Sequence, residues 1–548
     1  MSKIKIFSLG GLNENGKNMY VVEVDNDIFV FDAGLKYADD NMLGIDYMLP
    51  NYDYLKENIS RVQGIFISHG HDEQMGAIPD ILTSLPSLKV YGTTFTLALL
   101  KKELIECGIK TDNLIELKAH QKVVFGQNSI FPISLTHSIP DAVGYVLYTP
   151  DGAIFYTGNF VFDPTMIGNY KTDIGKLAYV GKQGVLCLLS ESLYAEKKGY
   201  TSPNHRVSAI FSETINKNEG RVLVNILQAE LYRIQELFNV VMKTNRKLVI
   251  LGKRLEAIIN EAIDTKYVNF DKSRLLGINH VTDSGIIVLI SDESEKPFSN
   301  IIRIVRGYDK FIKITSDDTV IFASPVIEGL EKSASKVFDD IAKIGAHLVI
   351  LSNKQYLEHH ASSEDLMMMI DLMNPKYYFP VIGEYRHQVG NANAAYKIGM
   401  AKENVLLKLN GQVVIFEGGK LIETDEKVKA DDILVDGKTS GDIGEAVLKD
   451  REALSDNGIV IVSATIDRVT KKVLAGPEIL TRGFIYVKEN ADLIKEIEKI
   501  SLDVINENIK EAKVDFTKIR NGVRDKLGKY LYHATECNPM IIVVMQEV

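Results

Sequence analysis

Short runs of β-branched and aromatic residues, each closed by a turn, restrict this chain more than any other feature up to about Thr201. They read "IKIFSLGG", "NMYVVEV", "DIFVFDAG", "GIFISHGH" and "LKVYGT", then "SIFPISLTH", "GYVLYTP", "AIFYTGN" and "GVLCLLSES". One helical stretch, near Thr94 to Cys107, interrupts them. Many strand ends with few long helices predict a sandwich of sheets flanked by helices. Beyond Thr201 the rhythm lengthens to strand and helix in alternation, "RVLVNIL" then "ELYRIQELFNVVMKT", "KLVILG" then "RLEAIINEAI", which predicts a parallel βαβ sheet. No GxGxxG follows a strand, so a dinucleotide site is not suggested.

After Gly418 the polar stretch "GGKLIETDEKVKADD" reads as a linker. From about Ile433 a last unit carries strands "GIVIVSATID", "GFIYVKE" and "MIIVVMQEV" around the helix "ADLIKEIEKISLDVINENIKEA". A chain of 548 residues at roughly 150 per domain implies two to four domains. No apolar run approaches the ~20 residues of a membrane span, and "MSKIKIFSLGG" lacks a secretory apolar core, so the expected location is the cytoplasm and no membrane partner is expected. Cys107, Cys187 and Cys537 are scattered and odd in number, matching neither a disulfide framework nor a CxxC metal site. A net charge of −10 argues against binding nucleic acid by bulk electrostatics, though a locally basic groove remains open.

With only eleven histidines, each can be weighed. His120, His205, His280, His347, His387 and His533 stand alone and read as surface or hydrogen-bonded structural residues. His69 and His71 lie on the loop after "GIFIS", and His137 ends the strand "SIFPISLTH". Together they could form a three-imidazole cluster of the kind that holds Zn²⁺ or Mn²⁺. Spacing alone makes HxH a weak motif. Its setting is stronger, because Asp32 in "FDAGLKY", Asn159 in "YTGNFVFD" and Glu191 in "LLSES" occupy other strand ends.

These stretches, with "GGLNENGKNMYVVE", "SHGHDEQMGAIP", "THSIPDAVGY", "ASPVIEGLEKS", "HASSEDL", "GEYR", "LVDGKTSGDIGEAVLKDR" and "TRGFIYV", resemble the ribonuclease J family in that family's order. The resemblance implies an α/β protein: a metallo-β-lactamase αββα sandwich, an inserted β-CASP α/β domain and a small α+β C-terminal domain. Residues 1–200 and 352–417 are then expected to form the metallo-β-lactamase domain, 201–351 the β-CASP domain, 418–432 a linker and 433–548 the C-terminal domain. It also implies two-metal hydrolysis of RNA, exonucleolytic from the 5′ end and sometimes endonucleolytic.

Position by position, the resemblance implies a damaged site. In the family's HxHxDH motif His69 and His71 match, Glu73 replaces the aspartate and Gln74 the last histidine. His137 matches the next ligand, the metal-bridging aspartate falls on Asn159, and the final histidine falls on Ile382. Asp32, Glu191 and His360 match acidic and histidine support positions. One metal position therefore keeps His69, His71 and His137, with Glu73 and Asn159 as doubtful additions, while Gln74 and Ile382 are degenerate. At most one firmly bound ion per chain, zinc or manganese, is expected.

The family's phosphate-binding HVSGHAS loop aligns with "YLEHHAS", placing Tyr356, Glu358 and His359 where histidine, serine and glycine are usual. His360, Ala361 and Ser362 survive, and the helix beginning there is expected to offer N–H groups to an RNA phosphate. The family's TGSQGEPM appears as "SDESEKPF", where Asp292, Glu293 and Glu295 would repel RNA. The expected function is that of a ribonuclease J-like protein of the weakly active or inactive paralogue type. Such a subunit would pair with RNA and with an active ribonuclease J paralogue, as homodimer or heteromer, in mRNA decay and rRNA maturation. The alternative is a weak metal-dependent 5′-to-3′ exoribonuclease or endoribonuclease in its own right.

Overall fold

The computed structural model describes residues 2–548 apart from 39–41, 202–205, 228–229, 293–297, 327–329, 353–354, 356–358, 438, 441–444, 468, 486–489 and 511–513. The readings of Tyr356, Glu358, Glu293 and Glu295 fall outside the described residues. The chain divides into two compact units, Met1–Tyr37 with Met48–Ile433, and Ala38–Tyr47 with Leu434–Val548. No helix among the described residues is long and apolar enough to cross a membrane.

The first unit contains the expected sandwich. One sheet centres on the strands Lys3–Gly10, Met19–Val24, Asp27–Phe31 and Val62–Phe66, with Val90–Gly92 continuing it in parallel. The other orders Tyr377–Pro380, Val185–Ser190, Gly152–Tyr156, Val143–Thr149 and Asn128–Ser134. Val185–Ser190 is buried along its whole length between two parallel neighbours, as its unbroken apolar run requires. Between the sheets lie Phe29, Phe31, Phe66, Tyr145 and Tyr156, and the rings of Phe31 and Tyr156 stack at 5.6 Å. On the outer face of the second sheet pack the helices Ile174–Gln183, Ser363–Met373 and Tyr385–Lys397.

This topology gathers strand ends. Asp27–Phe31, Val62–Phe66, Gly152–Tyr156, Val185–Ser190 and Tyr377–Pro380 are followed within a few residues by Asp32, His69, Asn159, Glu191 and Ile382. The C-terminal ends of parallel strands are where α/β sheets place their ligand sites.

The β-CASP insertion is an all-parallel sheet, ordered Leu275–Leu276, Leu248–Leu251, Ile287–Asp292, Val222–Leu227, Thr319–Phe322 and His347–Ile350. Its helix Lys253–Asp264 presents Arg254, whose guanidinium nitrogen lies 2.8 Å from both carboxylate oxygens of Asp72, beside His71. The stretch read as a linker is more ordered than its polarity suggests. Lys420–Ile422 forms the edge strand beside Val414–Glu417, where one row of ladder bonds tolerates polar, exposed side chains.

In the second unit, the sheet Lys472–Arg482, Ile459–Asp467, Met540–Glu547 is covered on one face by the helices Ala491–Ile509 and Phe516–Thr535. The run "MIIVVMQEV" alternates: Ile541, Val543 and Met545 enter that core, while Ile542 and Val544 are 40% and 39% exposed. Half of the strand is thus the domain's own core, and only the other half is offered outward.

Candidate metal centre

Among the described residues one cluster can hold a metal ion: His69, His71 and His137, with ligand atoms all within 4.8 Å of one another. The isolated histidines of the described chain lie elsewhere, such as His280 bonded to Asp283 and His120 beside Asp173. Hydrogen bonds settle which nitrogen of His69 and of His137 carries its proton. Ser68 donates its backbone N–H and hydroxyl to Asp32, at 2.6 and 2.8 Å, so its oxygen accepts from Nδ1–H of His69 at 3.0 Å. That leaves Nε2 of His69 as a bare lone pair, fully buried and without a hydrogen-bond partner. His137 donates Nδ1–H to the carbonyl of His359 at 2.9 Å, so its Nε2 is likewise a lone pair. It lies 3.2 Å from Nδ1 of His71.

That separation matches the edge of a zinc tetrahedron, ~3.3 Å for Zn–N bonds of about 2.0–2.1 Å. Burial, then the neighbouring histidines, holds His69 and His137 far below the ordinary imidazole range, which keeps both neutral and able to ligate. The residues fit a metal ion.

Asp32 is wholly buried and also receives the hydroxyl of Tyr156 at 2.6 Å. Burial pushes its carboxyl up to about 7 against the pull of these three donors. Ser68 and Tyr156 were not singled out from sequence. Ser68 could have been noticed beside His69, but no local signal marks Tyr156, which belongs to the opposite sheet.

The other expected ligand positions surround no such set. Both amide atoms of Gln74 are buried without partners, as is Oδ1 of Asn159, and neither residue brings a charge. Glu73 is half-buried. Ile382 is fully buried with φ of 55°, a left-handed conformation that β-branched residues rarely adopt. Its N–H donates to the Tyr20 hydroxyl at 3.0 Å.

Glu191, also wholly buried, accepts from Phe160 N–H at 2.6 Å, Ala361 N–H at 3.2 Å and His360 Nδ1–H at 2.8 Å. Burial raises its carboxyl, opposed chiefly by His360. This changes the expectation for phosphate binding. Ala361 N–H serves Glu191, Ser362 N–H serves the Asp365 carboxylate at 3.1 Å, Ser363 N–H the carbonyl of Lys197 at 3.0 Å, and Glu364 N–H that of Gly199 at 3.3 Å. Ser362 also completes a capping box with Asp365. The helix start at Ala361 and Ser362 is therefore already saturated from within and has no N–H left for an anion. The "SSED" spacing was the sequence signal for that cap.

Paired sheets with histidines on strand ends and a parallel insertion define the class, a metallo-β-lactamase-fold protein carrying a β-CASP domain. Family models match a beta-lactamase superfamily domain at residues 29–174, a ribonuclease J beta-CASP domain at 219–341, a Zn-dependent metallo-hydrolase RNA specificity domain at 351–405 and a ribonuclease J C-terminal domain at 446–548. The chain belongs to the ribonuclease J family, and RNA is its partner. It is similar to Ribonuclease J2 of Bacillus subtilis (strain 168), 37% identical over 550 residues covering 100% of this chain and 99% of that one. Ribonuclease J 2 of Staphylococcus aureus (strain NCTC 8325 / PS 47) is 35% identical over 549 residues, 100% and 98% of the two chains. A crystallised protein of unknown function from Enterococcus faecalis V583 shares the fold, with a TM-score of 0.52 and 15% identity over 76% of this chain and 100% of that one.

Proposed function

We propose that this chain is an RNA-processing subunit whose metal site is reduced to one ion on His69, His71 and His137, and which acts chiefly alongside an active ribonuclease J paralogue in mRNA decay and rRNA maturation. The observation that carries this reading is the contrast within one site. Two imidazoles have their lone pairs fixed by acceptors on the far side of the ring, while Gln74, Asn159 and Ile382 present two neutral amides and an alkyl group. Holding two dications close together requires anionic ligands, and these positions supply none.

Three neutral imidazoles favour Zn²⁺ over Mn²⁺, which prefers carboxylate oxygen. A bound zinc ion would act as a Lewis acid toward a phosphoryl oxygen. Around it, Asp32 through Ser68 keeps His69 in its ligating tautomer, and the His359 carbonyl does the same for His137. Glu191 and His360 hold the adjoining backbone in place.

The second reading, a slow ribonuclease acting alone, is favoured by the intact Asp32–Ser68–His69 relay and the intact Glu191–His360 pair. One experiment separates the two: digestion of 5′-monophosphorylated RNA by the purified protein and by His69→Ala. No digestion, with recovery of the chain in complex with an active paralogue, supports the subunit. Digestion abolished by His69→Ala establishes the enzyme, and digestion that survives the change belongs to a contaminant.

A further inference from the structure

Both loops that carry the candidate ligands are touched by the β-CASP insertion. In the first, Asp72 follows His71 directly and opens the short helix Asp72–Met75, and its carbonyl accepts from Leu35 N–H of the sandwich at 2.9 Å. Its carboxylate takes the Tyr37 hydroxyl at 2.7 Å and one guanidinium nitrogen of Arg254 at 2.8 Å from each oxygen. In the second, Tyr232 N–H donates to the carbonyl of Ser138, next to His137, at 3.3 Å, and the Tyr267 hydroxyl donates to the carboxylate of Asp141. The Tyr267 ring also lies against Phe95 at 5.1 Å.

These contacts are unequal. Those on the His137 loop are made by a backbone amide and a neutral hydroxyl, whereas Arg254 brings a full charge, and a hydrogen bond between two ions is about twice as strong as a neutral one. The Asp72 side chain is only 18% exposed, which limits the screening of that pair. Asp72 and Arg254 both act on Glu103, the one repelling its carboxylate and the other attracting it. Without the guanidinium, repulsion between the two acids would push Asp72 from its place, and the backbone would carry His71 with it.

We propose that Arg254 is a positioning residue for the metal centre: through Asp72 it fixes where His71 stands, so that ion binding and the seating of the β-CASP insertion stabilise each other. The proposal rests on the reading that His69, His71 and His137 hold an ion. The sign of the effect separates positioning from plain charge. A cation beside a metal site repels the ion, so if Arg254 acted only through space its removal would raise zinc affinity. Positioning requires the opposite, because an outer partner that orients a ligand strengthens the ion's hold. Linkage makes the effect reciprocal, and zinc must then tighten the helix Lys253–Asp264 against the sandwich.

The test uses the full-length protein and Zn²⁺ alone, with affinity read by competition with a chromophoric chelator. Arg254→Ala and Asp72→Asn are each expected to weaken zinc binding about 5- to 150-fold. The double variant should lose no more than the larger single loss, since both changes break one contact. Arg254→Lys keeps the charge without the guanidinium's reach and should lose less than Arg254→Ala. Hydrogen exchange over Lys253–Asp264 should slow when zinc is added to the unaltered protein, and not in Arg254→Ala. Circular dichroism confirms folding, and should Arg254→Ala fail to fold, Asp72→Asn and Arg254→Lys carry the comparison. Unchanged or tighter zinc binding in Arg254→Ala, or losses that add in the double variant, would overturn positioning while the ion site stands. Failure of the unaltered protein to bind zinc would overturn the underlying reading and the proposal with it.

Discussion

Asp32 reaches His69 through a single hydroxyl: Ser68 Oγ lies 2.8 Å from the carboxylate and 3.0 Å from Nδ1 of the ring. The carboxylate fixes the direction of the hydroxyl, and the hydroxyl fixes the tautomer of the histidine. Ser68→Ala should therefore lower zinc affinity about 10- to 100-fold without removing a ligand. Competition with a chromophoric chelator measures it. Unchanged affinity would show that His69 is held by packing alone.

Elemental analysis of the purified chain should find at most one firmly bound transition metal. Two filled positions would mean that Glu73 and Asn159 ligate better than their charge and geometry indicate.

Glu103 gives a pH signature in a group that is not itself a ligand. It lies on the helix Thr94–Glu106, where burial first, then Asp72, pushes its carboxyl up to about 7, with Arg254 opposing. Glu106 and Asp80 add to the rise. An acid whose folded value exceeds its unfolded one favours the native state fully below pH ~4.5, and that contribution is lost as pH rises through ~7. Glu103→Gln should flatten the fall in stability across this window, by about 1 kcal/mol after allowing for solvent screening. Urea unfolding at the two ends of the window checks it, and identical slopes for both proteins would rule it out.

The second unit carries the expectation about association. Ile542 and Val544 face away from the helices, and Ile542 lies across from Ile461, which pairs in turn with Leu480, 48% exposed. An apolar row of partly exposed side chains on the sheet face away from those helices is a site for burial against a partner. Ile542→Lys with Val544→Lys should lower the mass seen by light scattering if the chain associates through this face, because Ile541, Val543 and Met545 keep the core. An unchanged mass, in this variant and after truncation near Asp432, would remove the C-terminal unit from the assembly.

Much of this was legible in the sequence because strands announce themselves locally. "GIFIS" and "GVLCLLS" belong to buried parallel strands, and the residues that follow them stand at strand ends. The three histidines could be grouped because His69 and His71 follow the strand Val62–Phe66 and His137 follows Asn128–Ser134, which is antiparallel to both its neighbours. The saturated helix start at Ser362 was only half legible. Its cap lies three residues on, but the carbonyls of Lys197 and Gly199 and the carboxylate of Glu191 come from a loop and strand end far away in the chain. Nor could Tyr156 be tied to Asp32, since that contact exists only once two sheets are stacked.

Ile382 decides how reversible the loss of a second ion is. Its left-handed φ of 55° strains a β-branched residue, whereas histidine visits that region more readily, so Ile382→His needs no change of backbone. Glu73→Asp, Gln74→His, Asn159→Asp and Ile382→His together should restore a second bound ion, and each alone should do little, because ligands act as a unit and their effects are grossly non-additive. Metal stoichiometry and RNA cleavage must both be read, with and without Glu358→Ser, since the acid that the resemblance aligns with the family's phosphate-binding loop would still repel RNA. Binding of the second ion is expected to recover further than turnover. A second ion bound tightly with no cleavage in either variant would make substrate access the deeper loss. A second ion that never binds would mean that the four ligand changes do not account for the site.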